Sequence, residues 1–207
     1  MSSLTAPNPF NQKKRLAFVQ GLSVVAFVLL LFSRPGWNEA SAVHELVEMS
    51  GLALVLVCIF GRLWSILYVG SFKNSRLVIG GPYSITRNPL YLFSTVGAAG
   101  IGLLFGSMIV ALLLAACSFL VFRLTSHKEA GFLRARFGAE YDAYAARTPL
   151  FWPDPRLYRE VGETNFSPKA LGRTFLDALY FLAAFPAIEA VEYLQTTGHL
   201  PTLLWLF

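Results

Sequence analysis

Residues 89–122 read PLYLFSTVGAAGIGLLFGSMIVALLLAACSFLVF, thirty-four residues without a charge, with Arg87 before them and Arg123 after. One helix needs about 20 apolar residues to cross the hydrocarbon core of a bilayer. A single helix over this whole stretch would be about 50 Å long at 1.5 Å per residue. It would also leave the two arginines on opposite faces of the membrane. A helical hairpin that turns near Gly102–Gly106 puts both on one face, with spans at 89–104 and 106–122.

Three further spans lie outward from the hairpin. Residues 16–33 carry no charge and follow Lys13-Lys14-Arg15. A basic flank before an apolar run also describes a signal peptide, but the run is long and no small-x-small cleavage site follows it cleanly, which favours a retained helix. Residues 46–70 form the second span and contain Arg62, a costly residue at that depth. Residues 170–194 form the last, with Arg173 near its start and Glu192 near its end. The tail 200–207 is too short to cross and is expected in the interface. Charged residues make up 14% of the chain and hydrophobic residues 55%, against about 25% charged in soluble domains. The expectation is an all-α integral membrane protein: one membrane domain over 1–207 with five transmembrane helices.

Lysines and arginines set the orientation. With the N-terminus inside, fifteen of the seventeen fall in cytoplasmic segments, leaving Arg34 outside and Arg62 within the membrane. This is the positive-inside pattern. It explains the net charge of +5 and the pI near 9.4 through anionic lipid, so no nucleic-acid partner is inferred. Cys58 and Cys117 fall within spans and read as small packing residues. With no histidine near them, no metal site is expected. The spans 16–33, 89–104 and 106–122 carry no charge, which argues against a transporter or channel.

The hairpin brings together two polar cytoplasmic segments, 71–88 and 123–169. The first ends in Gly80-Gly81-Pro82-Tyr83-Ser84-Ile85-Thr86-Arg87-Asn88-Pro89-Leu90-Tyr91. Pro82 and Pro89 stiffen it, and Pro89 suits the first turn of a helix. Gly81 permits close backbone approach. Arg87 offers a planar fork for a carboxylate, and Tyr83 and Tyr91 can stack on a purine. Each residue alone is equally consistent with anchoring at the headgroup level. In the second segment Glu129, Leu133, Phe137, Tyr141 and Tyr144 share one face of a helix expected over 127–147, while Arg134 and Arg136 face elsewhere. Glu129 therefore sits on the buried edge, either as an ion-paired helix residue or as the partner of a cationic ligand.

Gly81-Pro82-Tyr83 followed by Arg87-Asn88-Pro89-Leu90-Tyr91 resembles the cofactor signature of the isoprenylcysteine carboxyl methyltransferases and their phospholipid methyltransferase relatives. Glu129, Leu133, Phe137-Gly138, Tyr141, Tyr144 and Pro149 follow the order of the second half of that signature. The resemblance covers about 61–153, including Gly61-Arg62, Trp64 and Tyr68. It implies S-adenosylmethionine as methyl donor, held by Gly81, Pro82, Tyr83, Arg87, Asn88, Pro89, Tyr91, Glu129 and Tyr141, with Arg87 and Glu129 as the catalytic pair. Asn88 stands where the family usually has histidine, and Ala130 where a second acid is common, so acid–base chemistry is weakened. That suits a lipophilic acceptor ionised at neutral pH, such as an isoprenylcysteine carboxylate, which needs no base. Alternatives are a phospholipid or small-molecule N- or S-methyltransferase, with Glu129 as base, and a non-catalytic membrane scaffold. Arg62 either snorkels to the cytoplasmic side or lines the acceptor pocket. Gly100-Ile101-Gly102 is assigned to helix packing.

Overall fold

The computed structural model describes residues 28, 31–36, 41–70, 76–160, 162 and 166–206. The first expected span, 16–33, lies outside them apart from Val28 and its last three residues. Helix α1 is Ala42–Val69, α2 the short Pro82–Ile85, α3 Pro89–Leu104, α4 Met108–Phe137, α5 Ala139–Arg147 and α6 Pro168–Thr196. A 3-10 turn covers Pro155–Leu157. Two short strands, β1 at Ser33–Pro35 and β2 at Leu204–Leu206, pair in parallel.

The helix starts are written in local chemistry. Ser41, Ser107 and Ser167 each accept a bond at the side-chain oxygen from the backbone N–H three residues on. This satisfies a donor that the helix itself leaves open. Among the described residues, α1, α4 and α6 are long and apolar enough to cross a membrane. Helix α3 has 16 residues, about 24 Å at 1.5 Å per residue, less than a full span. The hairpin turns at Phe105–Ser107, where Gly106 takes φ 74°.

The second arm of the hairpin departs from expectation. Its helix was expected to stop at 122, before a separate helix over 127–147. Instead α4 continues to Phe137 and the break comes at Gly138, with φ 52°. Residues 108–137 contain no proline and a single glycine, Gly131. The change from apolar to charged sequence at Arg123 alters the surroundings of a helix but not its backbone preference.

Helix α3 packs between α1 and α4, antiparallel to both. Gly51 and Gly100 meet at the α1–α3 crossing: a Cβ on Gly51 would stand 2.8 Å from the Gly100 carbonyl, and one on Gly100 would stand 2.9 Å from the Gly51 carbonyl. Close approach of this kind is how helices gain contact where no hydrophobic drive separates them from lipid. Cys58 is fully buried, with its sulfur against Gly97, and Gly102 packs on Ala111 across the hairpin. Helix α6 runs antiparallel to α1, beginning where α1 ends: a Cβ on Gly70 would lie 3.1 Å from that of Ala170. The tail's expected place in the interface is compatible with its pairing. It forms β2 against β1, and Gln195 Nε2 on α6 donates to the carbonyls of Leu31 at 2.9 Å and Ser33 at 3.0 Å. From the tail itself, Leu203 N and Leu204 N donate to the Phe32 carbonyl at 2.8 and 3.2 Å.

Candidate functional site

At the end of the bundle where α1 stops and α3 begins, residues 81–88 are covered by a strap, residues 148–160. The two segments are tied along their length. Arg87 N donates to Pro149 O at 2.9 Å, Asn88 Nδ2 to Leu150 O at 2.9 Å, and Thr86 Oγ1 to Phe151 O at 2.9 Å. Asp154 N donates to Ile85 O at 2.9 Å. Arg159 N donates to Ser84 Oγ at 2.9 Å, and Gly81 N donates back to Arg159 O at 2.8 Å. The strap is anchored at both ends by rings. Phe119 on α4 meets Phe151 edge-on at 4.9 Å and stacks with Trp152 at 5.4 Å. Tyr158 lies 6.1 Å from Trp64 on α1. Gly81, at φ 57°, lets the Tyr68 ring lie against its backbone where a side chain would collide.

Within this frame two ions are held by two tyrosines. Arg87 Nη1 donates to Tyr141 Oη at 3.1 Å. Tyr91 Oη donates to Glu129 Oε2 at 3.1 Å, and the Tyr91 ring stacks on Phe122 at 4.9 Å. Tyr141 is almost fully buried against Leu77 and Tyr144, and Tyr144 Oη donates to the Tyr83 carbonyl at 2.6 Å. Burial pushes the Tyr83 phenol well above its ordinary range, with Tyr144, Glu129 and Tyr91 adding to the shift. Burial also raises Tyr144, opposed in part by Arg87. Both phenols are therefore neutral hydrogen-bonding groups at physiological pH.

Arg87 Nε is buried without a hydrogen-bond partner. A buried guanidinium N–H left unsatisfied is costly, and a carboxylate would satisfy it in the fork geometry. Glu129, half-buried with one oxygen on Tyr91, presents negative charge beside buried aromatic rings, as a cationic ligand requires. The residues thus fit a ligand carrying both a carboxylate and a cation. Pro82 and Pro89 are fully buried and open α2 and α3, so they shape the backbone. Asn88 uses its amide donor on the strap. Arg62 lies deeper: Nη1 donates to Ser94 Oγ on α3, its guanidinium sits 5.8 Å from the Phe181 ring on α6, and Nε is buried without a hydrogen-bond partner.

Sequence reasoning missed Ser84, Thr86 and the strap. The only signal in the strap was its run of Pro149, Pro153 and Pro155 around Phe151-Trp152, which marks a stiff aromatic segment but names no partner.

Residues 47–140 match the phospholipid methyltransferase family. That range holds Arg87, Tyr91 and Glu129 but stops short of Tyr141, Tyr144 and the strap. The chain is 31% identical to the nickel-cobalt-cadmium resistance protein NccN of Alcaligenes xylosoxydans xylosoxydans, over 99% of this chain and 96% of that one. It is 34% identical to the cobalt-zinc-cadmium resistance protein CzcN of Cupriavidus metallidurans, over 88% of this chain and 85% of that one. No solved structure matches. With near full-length relatives and a family match that includes Arg87, Tyr91 and Glu129, the chain belongs to the phospholipid methyltransferase family.

Proposed function

We propose that this chain transfers a methyl group from S-adenosylmethionine to a lipophilic, acidic acceptor at the membrane surface, from a site facing the cytoplasm in a five-span fold. The observation that carries this reading is the pairing of Arg87 with Tyr141 and of Glu129 with Tyr91 at the start of α3. Arg87 takes the donor's carboxylate through its free Nε edge. Glu129, steadied by Tyr91, faces the donor's positive charge. Tyr83 and Tyr91 flank the adenine, and the strap keeps water out of the loop. The sulfonium supplies a methyl group already activated for displacement: the C–S electron pair returns to sulfur as the new bond to the acceptor forms. The protein's share is alignment and exclusion of water.

Arg62 supports an acidic acceptor, with an isoprenylcysteine-like carboxylate preferred. Its unsatisfied Nε lies among α1, α3 and α6, where a lipid would enter, and an anionic acceptor would complete it. Such an acceptor is deprotonated at neutral pH and needs no base, which suits a site where Asn88 is tied to the strap and Ala130 replaces a second acid.

The relatives are named for resistance to nickel, cobalt, zinc and cadmium, and we place this methyl transfer in the same physiological setting. The deciding experiment incubates purified protein with labelled S-adenosylmethionine and a panel of prenylcysteines, phospholipids and small acids and thiols. Label is expected in an acidic lipid. Donor binding without label in any acceptor would favour a non-catalytic scaffold, and absence of donor binding would defeat the reading.

A further inference from the structure

The opposite end of the bundle holds a second cluster of chemistry-bearing side chains, unrelated to the methyl-transfer site. Ser41 caps α1 by accepting from His44 N at 3.2 Å, which sets the first turn. His44 and Glu48 then lie one turn apart on the same face, with His44 Nε2 3.1 Å from Glu48 Oε1. Helix α6 returns antiparallel and brings Glu192 to the same place. One ligand atom from each of the three lies within 4.8 Å of the others. His44 is 5% exposed, and its Nδ1 is buried without a hydrogen-bond partner.

We propose that His44, Glu48 and Glu192 form a binding site for one borderline divalent transition-metal ion, of the Zn2+, Co2+ or Ni2+ kind. Ligand atoms about 2.0–2.2 Å from such an ion stand about 3–4 Å from one another. The His44–Glu48 separation already meets that spacing, and Glu192 reaches it by a small side-chain adjustment. An ion between Nε2 and Oε1 would take the place of their direct contact. One imidazole nitrogen with two carboxylate oxygens suits borderline first-row ions. It lacks the thiolates that soft ions prefer, and the imidazole is a poor ligand for calcium or magnesium. Three protein ligands leave at least one position open at the bundle end, where water or an exchanging ligand can bind. Crossing from α1 to α6, the ion also staples the two helices that close this end.

The test uses the full-length chain, without a histidine tag, purified in detergent. Co2+ is titrated by calorimetry and by its visible absorption, which reports its coordination. One equivalent is expected to bind, with Zn2+ displacing it. His44→Gln and Glu192→Gln should each weaken binding at least tenfold, while Arg87→Ala at the other end leaves it unchanged. Size-exclusion profile and melting temperature check that each variant is folded. If His44→Gln fails to fold, Glu192→Gln decides alone, because Glu192 lies near the end of α6. No saturable Co2+ binding in the wild type, or wild-type affinity in folded Glu192→Gln, would overturn the proposal. Since Arg87→Ala reports on the other site, failure here is separable from failure of the methyl-transfer reading.

Discussion

Asn88 donates its side-chain amide to the carbonyl of Leu150 at 2.9 Å, across 62 residues of sequence. The residue next to Arg87 is thereby a strut between the signature loop and the strap. Histidine, usual in the family at this position, can also donate from a ring nitrogen. Asn88→His should therefore keep the strap closed. Asn88→Asp replaces the donor with a carboxylate facing a carbonyl and should cost about 1–3 kcal/mol. Thermal unfolding in detergent and protease cleavage within 148–160 are the readouts. An Asn88→Asp protein as stable and as protease-resistant as wild type would show that the strut contributes nothing.

Arg87 and Arg62 should separate donor from acceptor. Arg87→Ala removes the proposed carboxylate fork and should weaken S-adenosylmethionine binding about tenfold or more, as for a lost charge-assisted pair. Arg62→Met keeps the bulk of the side chain and should leave donor affinity alone while raising KM for the lipid. Calorimetry and steady-state kinetics distinguish the two. Equal effects of both variants on donor affinity would place Arg62 in the donor site.

Tyr91 and Glu129 should act as a unit, because one hydrogen bond joins them at 3.1 Å. Glu129→Gln loses the charge, and Tyr91→Phe loses only the hydroxyl that orients it. Donor affinity is expected to fall more in Glu129→Gln than in Tyr91→Phe, with the double variant no worse than Glu129→Gln alone. If Glu129 were instead a base, donor affinity would survive and the rate would fall with a shifted pH profile. Wild-type rate and affinity in Glu129→Gln would reduce it to a solvated helix residue.

Tyr144 should make the fold sensitive to alkali. Its phenol is raised in the folded protein above the ordinary value of 10.0, chiefly by burial. As pH rises past that value the unfolded chain releases the proton while the folded chain keeps it. The folded state then binds more protons, so stability falls with rising pH. Tyr144→Phe should make that decline shallower, although it also lowers stability at neutral pH by losing the bond to the Tyr83 carbonyl. Unfolding midpoints measured above and below pH 10 provide the comparison, and an unchanged slope would contradict it.

Ala42 and Glu160, both exposed, mark the two ends of the bundle and should lie on opposite sides of the membrane. With the N-terminus inside, a cysteine at Ala42 should react with an impermeant maleimide from outside in intact cells. One at Glu160 should react only after permeabilisation. Labelling of both from the same side would reject the five-span topology.

The local chain determined a good part of this protein. Thirty-four uncharged residues cannot form one membrane helix, so the hairpin followed from length and charge alone, and its turn fell at Gly106. The signature loop was legible because proline chemistry is local; Leu133, Phe137, Tyr141 and Tyr144 do gather as their spacing suggested, but from two helices across the Gly138 break. Tertiary structure decided the rest. The continuity of α4 through the charged boundary depended on where a glycine could turn the chain, and that was Gly138. The strap is held by backbone carbonyls and amides, which every residue carries, so no side-chain pattern could name their partners. His44 and Glu48 advertise a pair by their spacing. Glu192 joins them only because α6 packs antiparallel on α1 and carries a residue near the far end of the chain back to the start of the bundle.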